Sequence, residues 1–203
     1  MAAQTRRKPV QRRSIDTVDA IIQAAAQVFE HHGYAAGTTN RIAERAGVSI
    51  GTLYQYFPNK DAILIALVEL HLQDGEQVLA PLLKELTEHP PPVREALEQV
   101  LSALLELHGH QPTLHRVLFE ETPRPAELRE RLERTFDLAS SAIARYLSLR
   151  PEVTIENYDL AAQLVIAALE AITHGLVIHP RSKIAPADYA QQAATMLERY
   201  LTG

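Results

Sequence analysis

Runs of helix-forming residues, cut at short intervals by proline and glycine, constrain this chain more than any other feature. Val18, Ile21, Ile22, Ala25, Val28 and Phe29 recur at three- and four-residue steps, which is the spacing of one helix face. Ser14 is a suitable N-cap for that helix and Gly33 a suitable stop. Ala, Leu, Glu, Arg and Gln dominate the composition, all residues with high or moderate helix propensity. With 46% apolar residues, only 8 glycines and no segment of strand period, a β-sandwich or a Gly-rich α/β nucleotide-binding fold is excluded. The fold class expected is all-α, in one domain or one domain with a smaller one attached.

The same punctuation divides the rest. A short helix opens at Thr38 and Thr39 and turns Ile42, Ala43 and Ala46 inward before Gly47. A second runs from Ser49 to Phe57 and closes at Pro58. Asn59 then caps a long helix through Leu64, Leu67, Val68, Leu72, Leu79 and Leu86, expected to bend near Gly75 and Pro81. His89-Pro-Pro-Pro92 reads as a linker. Beyond it come helices over roughly 93–109, 112–121, 126–149 and 154–179, and a last one from Pro186 to near Leu201, about nine in all.

Charge is distributed unevenly. Residues 1–60 hold 8 Lys/Arg against 4 Asp/Glu, a local balance of +4, while the whole chain carries −5. A basic head on an acidic body suggests that the head alone meets a polyanion. There is no cysteine, hence no disulfide, thiolate nucleophile or Cys-ligated zinc. No apolar stretch follows the basic start, so a secretory signal is not expected. Leu160 to Ile178 is apolar but contains Gln163, Glu170, Thr173 and His174, which suits a buried helix better than a membrane span. A soluble, cytoplasmic protein is the expectation. His108, His110, His115, Glu120 and Glu121, or Glu170 with His174, could gather metal ligands; without an H-E-x-x-H pattern, no metal and no cofactor is expected. The absence of G-x-S-x-G, P-loop and G-x-G-x-x-G motifs argues against an enzyme.

Residues 38–60 carry the functional signal. Two short helices joined by Ala46-Gly47-Val48 form a helix-turn-helix. If Leu53 faces inward, an advance of ~100° per residue puts Phe57, Ser49 and Ile50 within ~60° of it, with Gly51 and Gln55 outward and Thr52 and Tyr54 on the flanks. Such a face can enter a major groove and read base edges and the thymine methyl. Thr38, Thr39 and Asn40 open the preceding helix, where free N–H groups favour a phosphate. Lys60 opposes the dipole of the helix it begins, which makes sense if it contacts a phosphate.

The stretch Thr38-Thr-Asn-Arg-Ile-Ala-Glu-Arg-Ala-Gly-Val-Ser-Ile-Gly-Thr-Leu-Tyr-Gln-Tyr-Phe-Pro-Asn-Lys-Asp-Ala-Ile-Leu64 closely resembles the signature of the TetR family of transcriptional regulators. The resemblance spans about Ile15 to Leu70. It implies an N-terminal three-helix DNA-binding domain over 14–60, preceded by a basic arm at 1–13 and followed by a helical ligand-binding and dimerisation domain over 61–203. It further implies a homodimer on a palindromic operator, released by a small molecule. By the same resemblance Thr39 and Lys60 meet phosphates, Tyr54 and Tyr56 line the DNA backbone, and Asn40, Ile50, Gly51, Thr52 and Gln55 face bases. Ile50 stands where many members place a polar or basic residue.

The body is legible mainly as pattern. Helix 154–179 is apolar on nearly all sides and rich in small residues, including Ala161, Ala168 and Gly175. The last helix carries Tyr189, Ala193, Met196, Leu197 and Tyr200 on one stripe. The resemblance implies that these two helices form the dimer interface, with Leu164 and Ile172 also on the first of them. Apolar helix surface with a few polar groups describes a small-molecule pocket, for which Leu105, His108, His115, Phe119, Ala171 and His174 are candidates. The ligand expected is apolar or amphipathic and organic. An all-α protein-interaction adaptor is one competing reading, but it leaves Lys60 and the Tyr/Thr/Gln face unexplained; a TetR-like activator without a small-molecule inducer is the other.

Overall fold

The computed structural model describes residues 12–109, 112–121, 126–177 and 185–203, with the side chains of 12, 13 and 119 left aside. Every regular element among these residues is helical. In chain order they are α1 (Arg12–Ala36), α2 (Thr39–Arg45), α3 (Ile50–Tyr56), α4 (Lys60–Glu88), α5 (Val93–Gly109), α6 (Pro112–Arg116), a π-helical turn (Val117–Glu121), α7 (Ala126–Ser148), α8 (Tyr158–Val177) and α9 (Pro186–Thr202). The basic arm expected at 1–13 falls almost wholly outside the described residues, as does His110.

Two compact units result, and they do not follow the expected division at Lys60. Of the described residues, the first holds those within 12–73 and 113–128, the second those within 74–112 and 129–203. All of α6 after Pro112, and the π turn, therefore belong with α1, α2 and α3. In the first unit α1 is kinked at Gly33, whose φ of 71° lies in the left-handed region that a side chain would strain. Its core is built from Ile21, Phe29, Ile42, Leu53, Phe57, Ile63 and Leu64, each fully enclosed. These are the residues that helical spacing turns inward, so burial of one stripe per helix holds the unit together.

In the second unit, α5 packs against both α8 and α9, around Leu86, Leu97, Leu101, Leu147, Val165, Leu169, Leu197 and Leu201. α4 runs unbroken from Lys60 to Glu88 with Pro81 inside it, and the boundary between the units crosses it between Gln73 and Asp74, beside Gly75. α8 begins at Tyr158, four residues later than the spacing suggested. Asn157 sets that start, because its Oδ1 accepts from Leu160 N at 3.0 Å. Thr154 N donates instead to Leu201 O at 3.0 Å, so Thr154 lies beside the end of α9 and outside any helix. By length and composition α8 could cross a membrane, but six of its residues (Ala161, Ala162, Val165, Ile166, Leu169 and Thr173) are buried inside the protein.

Candidate nucleic-acid interface

Local chemistry explains why residues 38–57 fold into a tight corner. Thr38 Oγ1 accepts from Arg41 N at 3.3 Å and Ser49 Oγ accepts from Thr52 N at 3.0 Å, so each short helix has a side-chain N-cap. Gly47 takes φ 68° in the turn between them, a conformation in which a Cβ would be strained. Ile42, Ala43, Leu53 and Phe57 anchor the inner side. Helices of only seven residues are not stable alone. The caps and the shared core hold them.

The outer side matches the sequence reading. Gly51 and Gln55 are exposed, Thr52 and Tyr56 are half-buried, and Tyr54 is 41% exposed. Ile50, whose direction the sequence left halfway, is 39% exposed and so lies on the outer side. On α2, Asn40 is exposed and Thr39 half-buried, with Thr38 exposed just ahead of the helix. Thr39 Oγ1 and Tyr54 Oη lie 3.1 Å apart and tie α2 to α3. These ten residues, Lys60 included, all lie in the first unit.

Lys60 requires a correction. Its Nζ donates to Tyr34 O at 2.7 Å and to Ala35 O at 3.4 Å, and it sits 4.0 Å from the centre of the Tyr34 ring. Carbonyls at the end of α1 and an aromatic face thus answer its opposition to the α4 dipole, with no phosphate required. An ammonium has three donors, so one N–H remains for a ligand. Tyr34 is the hub that sequence reading missed. Its N donates to Glu121 Oε2 at 3.4 Å, and its hydroxyl donates to the Asp61 carboxylate. Burial, reinforced by that bond to Asp61, pushes its phenol far above the ordinary tyrosine range. The glycine-aromatic pair Gly33-Tyr34 at a helix end was the available signal. Its long-range partners were not in the local pattern. Other head cations are also engaged, Arg41 Nη1 on Ala36 O at 3.1 Å and Arg45 Nε on Gln27 Oε1 at 2.5 Å.

The expected ligand residues fall in different units. His115, 3% exposed, has its ring 5.0 Å from that of His71 in the first unit. In the second unit the rings of His108 and His174 are 5.7 Å apart, Leu105 is half-buried and Ala171 exposed. The Phe119 side chain lies outside the described residues. A cavity of about 30 Å³ within the second unit borders none of these residues. It is partly open and is lined by apolar side chains of α4, α5, α7, α8 and Leu201, with Tyr146 at its wall.

The interface residues also divide. Leu164 (48% exposed), Met196 (55%), Tyr200 (40%) and Tyr189 (39%) are bare, with Gly175 exposed beside them and Ala168 and Ile172 half-buried. Ala161, Ala193 and Leu197 are instead closed into the core that α5, α8 and α9 share. Leu160, 51% exposed, joins the bare stripe in their place.

Comparison with known proteins agrees with the geometry. Residues 21–67 match the family described as bacterial regulatory proteins, tetR family, and residues 92–201 match the tetracyclin repressor-like C-terminal domain. The chain is 30% identical over 170 residues to the nucleoid occlusion factor SlmA of Aliivibrio fischeri, covering 79% of this chain and 81% of that one. It is 30% identical over 100 residues to the transcriptional activator FasR of Mycolicibacterium smegmatis, covering 49% of this chain and only 44% of FasR. Among solved structures, the transcriptional regulator FadR of Bacillus subtilis in complex with stearoyl-CoA superposes with a TM-score of 0.67 at 24% identity, covering 88% of this chain and 96% of FadR.

Proposed function

Because the chain belongs to the tetR family of bacterial regulatory proteins, and so is a DNA-binding transcriptional regulator and not an enzyme, we propose that it acts as a homodimeric repressor on a pseudo-palindromic operator. A small apolar or amphipathic molecule releases it. The observation that carries this reading is the pairing of two surfaces on one chain: the capped, outward-facing α3 and the bare apolar stripe Leu160, Leu164, Tyr189, Met196 and Tyr200. One recognition helix reads only a few base pairs, so useful affinity needs two half-sites and a two-fold dimer. The stripe supplies a self-complementary apolar surface for that dimer.

Two features support an apolar effector. At its cavity, the core of the second unit is lined by Leu, Val, Ile and Ala, with Tyr146 alone there polar. Its cavity is far below the ~300 Å³ of a typical ligand pocket, so an effector must open that core as it enters. The stearoyl-CoA of the FadR complex is an amphipathic molecule of the class proposed. A repressor that opens only for its ligand favours the unliganded, DNA-bound state in the ligand's absence, and a preference of ~2.7 kcal/mol for the open state loosens an operator a hundredfold.

The test is selection of duplexes from a random library by the full chain, then gel shift and sedimentation on the selected sequence. A two-fold-related sequence bound by two chains, released by long-chain acyl-CoA thioesters or other amphipathic compounds that also raise the melting temperature, is the expected result. Binding as a monomer, or no release across a broad hydrophobic library, overturns the dimeric, ligand-released reading. A reporter activated rather than silenced by the protein overturns the repressor assignment.

A further inference from the structure

Fewer hydrogen-bonding groups are free on the outer side of α3 than its sequence offers. Ser49 Oγ accepts from Thr52 N at 3.0 Å and lies 2.8 Å from Thr52 Oγ1, so these hydroxyls serve each other. The Tyr54 hydroxyl is held 3.1 Å from Thr39 Oγ1. With Tyr56 half-buried, three exposed residues remain. Ile50 is 39% exposed, Gly51 is exposed with only Ser49 Oγ near the place of a Cβ, at 3.8 Å, and Gln55 is exposed with no hydrogen bond among the described residues.

An isoleucine has nothing to donate or accept. Pressed against the polar edge of a G·C pair it would strip water from base atoms without replacing their hydrogen bonds. The one apolar group in the major groove is the C5-methyl of thymine. Gln55, by contrast, has the amide geometry that bonds adenine at N6 and N7 together. The two residues stand ~7.5 Å apart along the helix axis and ~140° apart around it, so they meet different bases. Gly51, between them on the outer side, lets the backbone approach the groove floor.

We infer that α3 reads A·T pairs in its half-site, with Ile50 seated on a thymine methyl and Gln55 on an adenine. Ile50 thus sets specificity by contact with a methyl group. This inference rests on the DNA-binding reading above and adds to it the chemistry of the operator.

The test uses the operator obtained by selection, resynthesised with deoxyuridine at one thymine at a time. Uracil pairs as thymine does and lacks only the methyl. At one thymine per half-site the wild-type protein should lose about fourfold in affinity, and about fifteenfold when both half-sites are changed. Ile50→Ala should bind the thymine and uracil duplexes equally. In parallel, 7-deazaadenine, which lacks the N7 acceptor, should weaken the wild type but not Gln55→Ala. An operator in which no thymine-to-uracil change matters overturns the inference while leaving DNA binding intact. A uracil penalty that persists in Ile50→Ala removes Ile50 from the contact. Failure to select any duplex overturns the DNA-binding reading and this one together.

Discussion

Lys60 and Gln55 separate what a single side chain can do at this surface. Gln55 is exposed and unengaged among the described residues, so Gln55→Ala should leave stability unchanged and cost ~1–3 kcal/mol per half-site on the operator alone. Lys60 holds Tyr34 O and Ala35 O, so Lys60→Met should do two things. Denaturant melts should show a loss of about 1 kcal/mol, because charge-assisted bonds to the end of α1 disappear. Binding to all duplexes should weaken alike, with the salt slope lower by about one counterion per chain through the remaining N–H. An unchanged melting curve would show that the carbonyl contacts carry no stability. Thr173 makes a different point. It is fully buried on α8, and its hydroxyl has no hydrogen-bond partner among the described residues. Thr173→Val removes that cost while keeping the shape, and thermal denaturation should show a variant more stable by about 1 kcal/mol.

At the scale of elements, most helix limits were legible because proline, glycine and capping residues act locally. Pro58 and Asn59 end α3 and begin α4 as expected, with Asn59 Oδ1 accepting from Ala62 N at 2.8 Å. The late start of α8 was not legible because Thr154 N pairs with Leu201 O, distant in sequence, which leaves the cap to Asn157. The stripe of small residues likewise has no direction in a sequence. Ala161, Ala193 and Leu197 were expected at a partner surface and lie in the protein's own core instead. Glu152 is another long-range device. Its Oε1 accepts from Val93 N at 3.2 Å, and from Arg150 Nε at 3.0 Å and Nη2 at 2.9 Å, so it caps α5 from 59 residues away. Burial pulls its carboxyl upward, but the bonds from Arg150, with those from the backbone, outweigh it and hold the pKa below the usual carboxylate value. A depressed carboxyl stabilises the fold above its unfolded pKa and loses that contribution as pH falls through the folded one. Glu152→Gln should therefore melt at lower temperature than wild type at pH 7, and the difference should shrink as pH falls below about 4. A difference that is constant down to pH 2 would assign the effect to shape rather than charge.

For the whole molecule, the question is what covers the bare stripe of α8 and α9. Leu164 is the cleanest probe, because it is 48% exposed whereas Ala168 also packs against the core. Leu164→Arg should sediment as a monomer with wild-type helical content, and its operator affinity should fall at least a hundredfold as the second half-site is lost. An intact dimer would place the interface elsewhere. The same stripe has a consequence for how the gene responds to scarcity. If only the paired form occupies the operator, its amount follows the square of the free chain concentration below the dissociation constant, so ten times fewer chains leave about a hundred times fewer pairs. Solitary chains would also forgo the stabilisation that pairing gives the folded state, and so unfold and meet cellular proteases more often. Leucines and tyrosines left in water would thus make silencing end abruptly once synthesis slows, giving the circuit a threshold in copy number that no residue of the DNA-binding head encodes.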